Sequence, residues 1–126
     1  MERVFFVIGA VSAFIAVAAG AFGAHWLGDR MAEDLAEIYE TAARYQMYHA
    51  LALLAVGWVA GRWKIAGIRW AGWLFVAGTA VFSGSLYLLS ITGLRWLGAV
   101  TPIGGVALLA GWLLLAWSVA ALRHRH

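Results

Sequence analysis

Charged residues divide the chain into four long uncharged runs: Val4 to Ala24 (21 residues), Tyr45 to Gly61 (17), Trp70 to Leu94 (25) and Trp96 to Leu122 (27), together 90 of 126 positions. About 20 apolar helical residues cross a hydrocarbon core roughly 30 Å thick, so three of these runs suffice alone and the second falls short. Ahead of the short run, Met31, Leu35, Ile38, Ala42 and Tyr45 recur at helical spacing, while Glu33, Glu37, Glu40 and Arg44 occupy the opposite face. No proline or glycine separates this amphipathic segment from the run. The pattern therefore predicts one long helix from near Met31, or a short surface helix bending into the span, and either supplies the missing length. The resulting expectation is an all-α polytopic membrane protein, one domain over 1–126, with four transmembrane helices in a bundle. Spans are expected at about 4–24, 45–61, 70–94 and 102–122, with an amphipathic outer extension over 31–44 before helix 2.

Lipid gives apolar helices no hydrophobic reason to associate, so small residues that let backbones approach are the packing signal to look for. Helix 1 carries Gly9, Ala13, Ala16, Gly20 and Gly23 on one face, helix 3 carries Ala77, Ala80, Gly84 and Tyr87, and helix 4 carries Gly104, Ala107, Gly111 and Ser118. These stripes predict close contacts at Gly20 and Gly111, and leave Leu53 facing lipid. Thr101 and Pro102 read as the N-cap and first residue of helix 4. The indole of Trp112 needs an acceptor, for which Ser83 or Ser85 is placed.

Composition narrows the classes. At 64% hydrophobic and 12% charged, the chain lacks the polar surface of a soluble domain, and with no cysteine it has neither disulfides nor thiolate metal sites. The net charge of +3 comes from scattered Lys and Arg beside apolar spans, which argues for topology signals and against nucleic-acid binding. Four crossings place Arg3, Arg62, Lys64, Arg69, Arg123 and Arg125 on one side, against Arg30, Arg44 and Arg95 on the other. This asymmetry predicts cytoplasmic N- and C-termini. The first run is longer than the hydrophobic region of a signal peptide, about 7 to 15 residues, so it is expected to be a retained helix.

Polar side chains inside the spans are few. Tyr45, Gln46 and His49 enter helix 2 from the outer side, Ser83 and Tyr87 lie on helix 3, His25 ends helix 1 and Thr101 opens helix 4. An ionisable residue within a span is a functional candidate by default, and His49 extends the inward stripe of helix 2. A plainer role is a hydrogen bond from His49 to Tyr87, a serine or a backbone carbonyl across the bundle. A metal site would need three or four convergent ligands, and only His25 and His49 are placed to meet, so no metal or cofactor is expected. No carboxylate lies inside a span to support acid–base or nucleophilic catalysis, so the protein is not expected to be an enzyme.

Four motifs carry a family resemblance: Gly20-Ala-Phe-Gly-Ala-His25, Tyr45-Gln-Met-Tyr-His-Ala-Leu-Ala-Leu-Leu54, Phe82-Ser-Gly-Ser-Leu-Tyr87, and Arg95-Trp-Leu-Gly-Ala-Val-Thr-Pro-Ile-Gly-Gly105 with Gly111-Trp112. In this order they resemble the YgdD/YwdK-type small multi-pass membrane proteins over nearly the whole chain. The resemblance implies a four-helix protein of bacterial plasma membranes, with relatives in eukaryotes, classed as a domain of unknown function. It adds interest to His25, Tyr45, Gln46, His49, Ser83 and Tyr87 as ligand-binding candidates, and it implies no reaction, substrate or cofactor. The functional expectation is a membrane protein that binds or passes a small molecule or lipid through the polar cluster in its outer half, as a homo-oligomer. The alternative is a structural or accessory subunit whose glycine stripes dock a larger membrane complex.

Overall fold

The computed structural model describes residues 2–27 and 29–124, with the side chains of 123 and 124 left aside, so the basic C-terminal end falls outside the described side chains. Four α-helices follow in order: α1 Glu2–Phe22, α2 Glu33–Arg62, α3 Ala66–Thr92 and α4 Thr101–Ala120. A π-helical segment, Gly23–Leu27, extends α1, and a 3-10 segment, Arg95–Ala99, leads into α4. Three of these stretches are long and apolar enough to cross a membrane: Glu2–Leu27, Ala66–Thr92 and Arg95–Ala120. The fourth helix of the bundle, α2, is continuous over 30 residues, as one of the two sequence expectations required. At 1.5 Å rise per residue it is about 45 Å long, which leaves its charged first turns room beyond a core of roughly 30 Å.

Local chemistry sets the ends. α3 stops at Gly93, whose φ of 75° is left-handed and whose N–H returns to the Leu89 carbonyl at 2.7 Å. The expected cap of α4 is corrected. The 3-10 segment runs straight into α4, Val100 already has helical dihedrals, and no side chain caps the helix. Thr101 is the first helical residue, and its hydroxyl bonds Ser85 Oγ at 2.6 Å. At the end of α1, the Tyr39 hydroxyl donates to the Ala19 carbonyl at 2.7 Å, and a Cβ on Gly23 would overlap the Tyr39 ring. A side chain inserted there accompanies the widened π turn.

The helices run alternately up and down. α1 packs along α2, α2 along α3 and α3 along α4, so α2 and α3 form the central pair. Phe5, Leu53, Val56, Ile68 and Phe75 fill the core. Leu53 is 2% exposed, which overturns its expected lipid-facing position: α2 is covered on both sides, and Leu51 and Trp58 face outward instead. Glycines mark the closest approaches. A Cβ at Gly9 would come 2.8 Å from the Ala50 carbonyl, and one at Gly111 would come 2.8 Å from the Phe75 ring. Gly72 receives the Phe5 ring and Gly78 receives Leu108, although neither was in a predicted stripe. Conversely, Gly20 and Gly84 have nothing within 4 Å of a would-be Cβ, and Ala77 and Ala80 are exposed. A four-and-three spacing identifies a shared face but does not say whether a neighbour covers it.

Candidate functional site

Among the grooves that packing leaves, two lie beside the central pair and take in sequence candidates. The first, about 230 Å³, lies between α1 and α3 and is floored by α2; the second, about 530 Å³, lies between α2 and α4. The sequence candidates divide between them.

In the first groove, the Tyr87 hydroxyl donates to Gln46 Oε1 at 2.7 Å, and Gln46 Nε2 donates to Ser12 Oγ at 3.3 Å. Three helices are joined by this chain. Gln46 is buried because α2 turns its Ala42, Ala43, Gln46 and Ala50 face inward. Ser83 also lines the groove, but its hydroxyl is committed to the Ala42 carbonyl across the helix interface at 2.8 Å. Thr79, on the same wall, has a buried hydroxyl with no hydrogen-bond partner among the described residues. Such a group costs about 1–3 kcal/mol unless something satisfies it. Ser12 and Thr79 were not among the sequence candidates. A serine or threonine in an apolar helix usually bonds its own preceding turn, so sequence gives no sign that these two face a groove.

In the second groove, Tyr45 and His49 lie with Trp112. His49 Nδ1 meets its own helix's Tyr45 carbonyl at 2.8 Å, and Trp112 Nε1 donates to His49 Nε2 at 3.0 Å. Both contacts together fix the neutral tautomer with the proton on Nδ1. An imidazolium would turn a donor toward the indole N–H, so the tie to α4 requires the neutral ring. Two expectations are thereby corrected. Trp112 pairs with His49 and with neither serine, because Ser85 is engaged by Thr101 and Ser83 by Ala42. His49 does not bond Tyr87, which faces the other groove.

His25 joins neither cluster. It is exposed in the π-helical segment at the end of α1, and no group of three His, Cys, Asp or Glu suited to a metal occurs among the described residues. The charged groups sit at the ends. Arg95 bonds Asp34 across the connection to α4, which holds the Asp34 carboxyl below its ordinary value, and Lys64 pairs with Glu2 at 3.8 Å at the opposite end.

An apolar exterior, helices of spanning length and polar groups confined to seams and ends define a small helical multi-pass membrane protein. The family described as protein of unknown function (DUF423) matches residues 19–105. A UPF0382 membrane protein of Staphylococcus epidermidis is 50% identical over 113 residues, covering 90% of this chain and 92% of the relative. The UPF0382 membrane protein YwdK of Bacillus subtilis is 43% identical over 123 residues, covering 97% and 98%. The chain belongs to this family of membrane proteins of unknown function. No solved structure gives a significant match.

Proposed function

We propose that the protein binds a small uncharged polar molecule in the groove between α1 and α3, at Ser12, Gln46, Thr79 and Tyr87. The observation that carries this reading is the Thr79 hydroxyl, buried without a partner beside a hydrogen-bonded chain that still has capacity. Gln46 retains a second amide hydrogen, the Ser12 hydroxyl a proton and the Tyr87 oxygen a lone pair. Among the described residues no Asp, Glu, Lys, Arg or His lines the groove, so a charged ligand would meet no counter-ion there.

The same reading takes the protein as non-enzymatic, in the bacterial plasma membrane, with both termini cytoplasmic as the Lys and Arg distribution indicates. Phe5, Leu53 and Phe75 fill the interior, so any passage across the bilayer would run between protomers of a homo-oligomer. The accessory-subunit reading has less support, because Gly9, Gly104 and Gly111 of the predicted stripes meet neighbours within this chain, while Gly20 and Gly84 stay open.

The test compares wild type, Gln46→Ala and Thr79→Val, each transferred from bacterial membranes into nanodiscs and examined by native mass spectrometry and unfolding. Binding predicts a small-molecule adduct on wild type that both variants lose, with no gain in stability for Thr79→Val. A wild type without adduct, together with a Thr79→Val protein stabilised by about 1–3 kcal/mol, would show that the hydroxyl is a tolerated orphan and end this reading.

A further inference from the structure

The second groove has a different chemistry and shares no lining residue with the first. We infer that the groove between α2 and α4 binds a membrane-soluble quinone, that is, a flat, neutral, carbonyl-bearing ring on an apolar tail. The walls are aromatic and held in place. The Trp112 ring lies 4.8 Å from Phe75 and is tied to His49 at 3.0 Å. Tyr45 packs 5.0 Å from Phe82 and stands edge-on to Tyr48 at 5.5 Å. Flat unsaturated rings gain from offset or edge contacts with such walls beyond the area they bury.

Gly105 opens the floor. A Cβ there would meet only the Phe82 ring, at 3.7 Å, an ordinary contact distance. A volume of about 530 Å³ lies within the range of small-molecule sites and admits a substituted six-membered ring with the first part of its tail. Leu109 provides an apolar surface for that tail.

Charge and hydrogen bonding select the head. Tyr45 and Tyr48, both partly exposed, line the groove, and their hydroxyls have no hydrogen-bond partner among the described residues. Two phenol donors suit carbonyl oxygens. Among the described residues no Asp, Glu, Lys or Arg lines the site, so an ionic headgroup would meet no counter-ion within the groove. A bare acyl chain would fill the apolar part and leave both phenols without acceptors.

The experiment titrates protein in phosphatidylglycerol nanodiscs with a decyl-tailed benzoquinone and follows saturable quenching of tryptophan emission. Wild type should saturate. Gly105→Leu, which fills the groove from a position with room for a Cβ, should weaken binding tenfold or more. Replacing both phenols, Tyr45→Phe with Tyr48→Phe, should weaken it about tenfold through loss of two neutral hydrogen bonds. Thr79→Val should leave the titration unchanged, which separates this site from the groove between α1 and α3. Absence of saturation, equal binding by Gly105→Leu, or equal competition from decylbenzene, which has the tail and a ring but no carbonyls, would overturn the inference. If Gly105→Leu fails to fold, the paired phenol variant decides the matter by the same titration.

Discussion

The bond from Trp112 to His49 provides the sharpest test of the packing between α2 and α4. His49 is 5% exposed and its other nitrogen is engaged by the Tyr45 carbonyl, so Trp112→Phe strands a buried acceptor. The cost is about 1–3 kcal/mol, and His49→Phe strands the indole N–H in the opposite sense. Both replacements keep a ring beside Phe75, which lies 5.6 Å from His49 and 4.8 Å from Trp112, so packing is largely preserved. The double variant strands neither group and should be more stable than the sum of the two losses implies. Interhelical hydrogen bonds in membranes contribute about 0.6–2 kcal/mol, and that range is the expected coupling. His49→Gln, which keeps a donor and an acceptor, should lose less than His49→Phe. The measurement is a double-mutant cycle from reversible unfolding in mixed micelles. Single losses that add to within about 0.3 kcal/mol would refute the bond as a tie between the helices.

Gly104→Ala should impair folding, because its Cβ would run into the Phe82 backbone nitrogen, while Gly20→Ala should melt like wild type in the same detergent scan because its Cβ enters open space. Leu53→Ala should destabilise by about 1–3 kcal/mol in micelle unfolding, less than in a soluble core, because only the cavity and lost dispersion count when the unfolded helix is solvated by lipid. The Asp34 carboxyl is held below its ordinary value of 3.8, chiefly by its hydrogen bond from Arg95, so its contribution is complete above that value and lost as pH falls through the lowered one. Protection at the start of α2, taken relative to the intrinsic exchange rate at each pH, should therefore fall below about pH 4, and Asp34→Asn should remove that fall. A cytoplasm-active reporter joined after His126 should work and one inserted near Asp34 should not; the reverse would invert the topology.

The sequence by itself determined the helical class and the four helices, because uncharged run length and amphipathic period are one-dimensional properties that the bilayer reads directly, while of the continuous and bent forms it left open for α2 the structure adopts the continuous one. The sequence also pointed to Gln46, His49 and Tyr87, since polar groups are rare inside such runs. Tertiary structure decided which of these meet. Tyr87 and His49 occupy different grooves because α1 and α4 lie to either side of the contact between α2 and α3, and the roughly 60° that separates Gln46 from His49, three residues on, turns one side chain toward each. The structure alone showed that Gly20 opens onto space while Gly72 and Gly78 receive Phe5 and Leu108. Thr79 makes the same point most plainly: its hydroxyl looks like any other in the sequence, and only the packing of three helices leaves it buried without a partner. Between apolar helices in lipid, interdigitation of side chains sets position and rotation, and no periodicity in a single helix contains the shape of its neighbour.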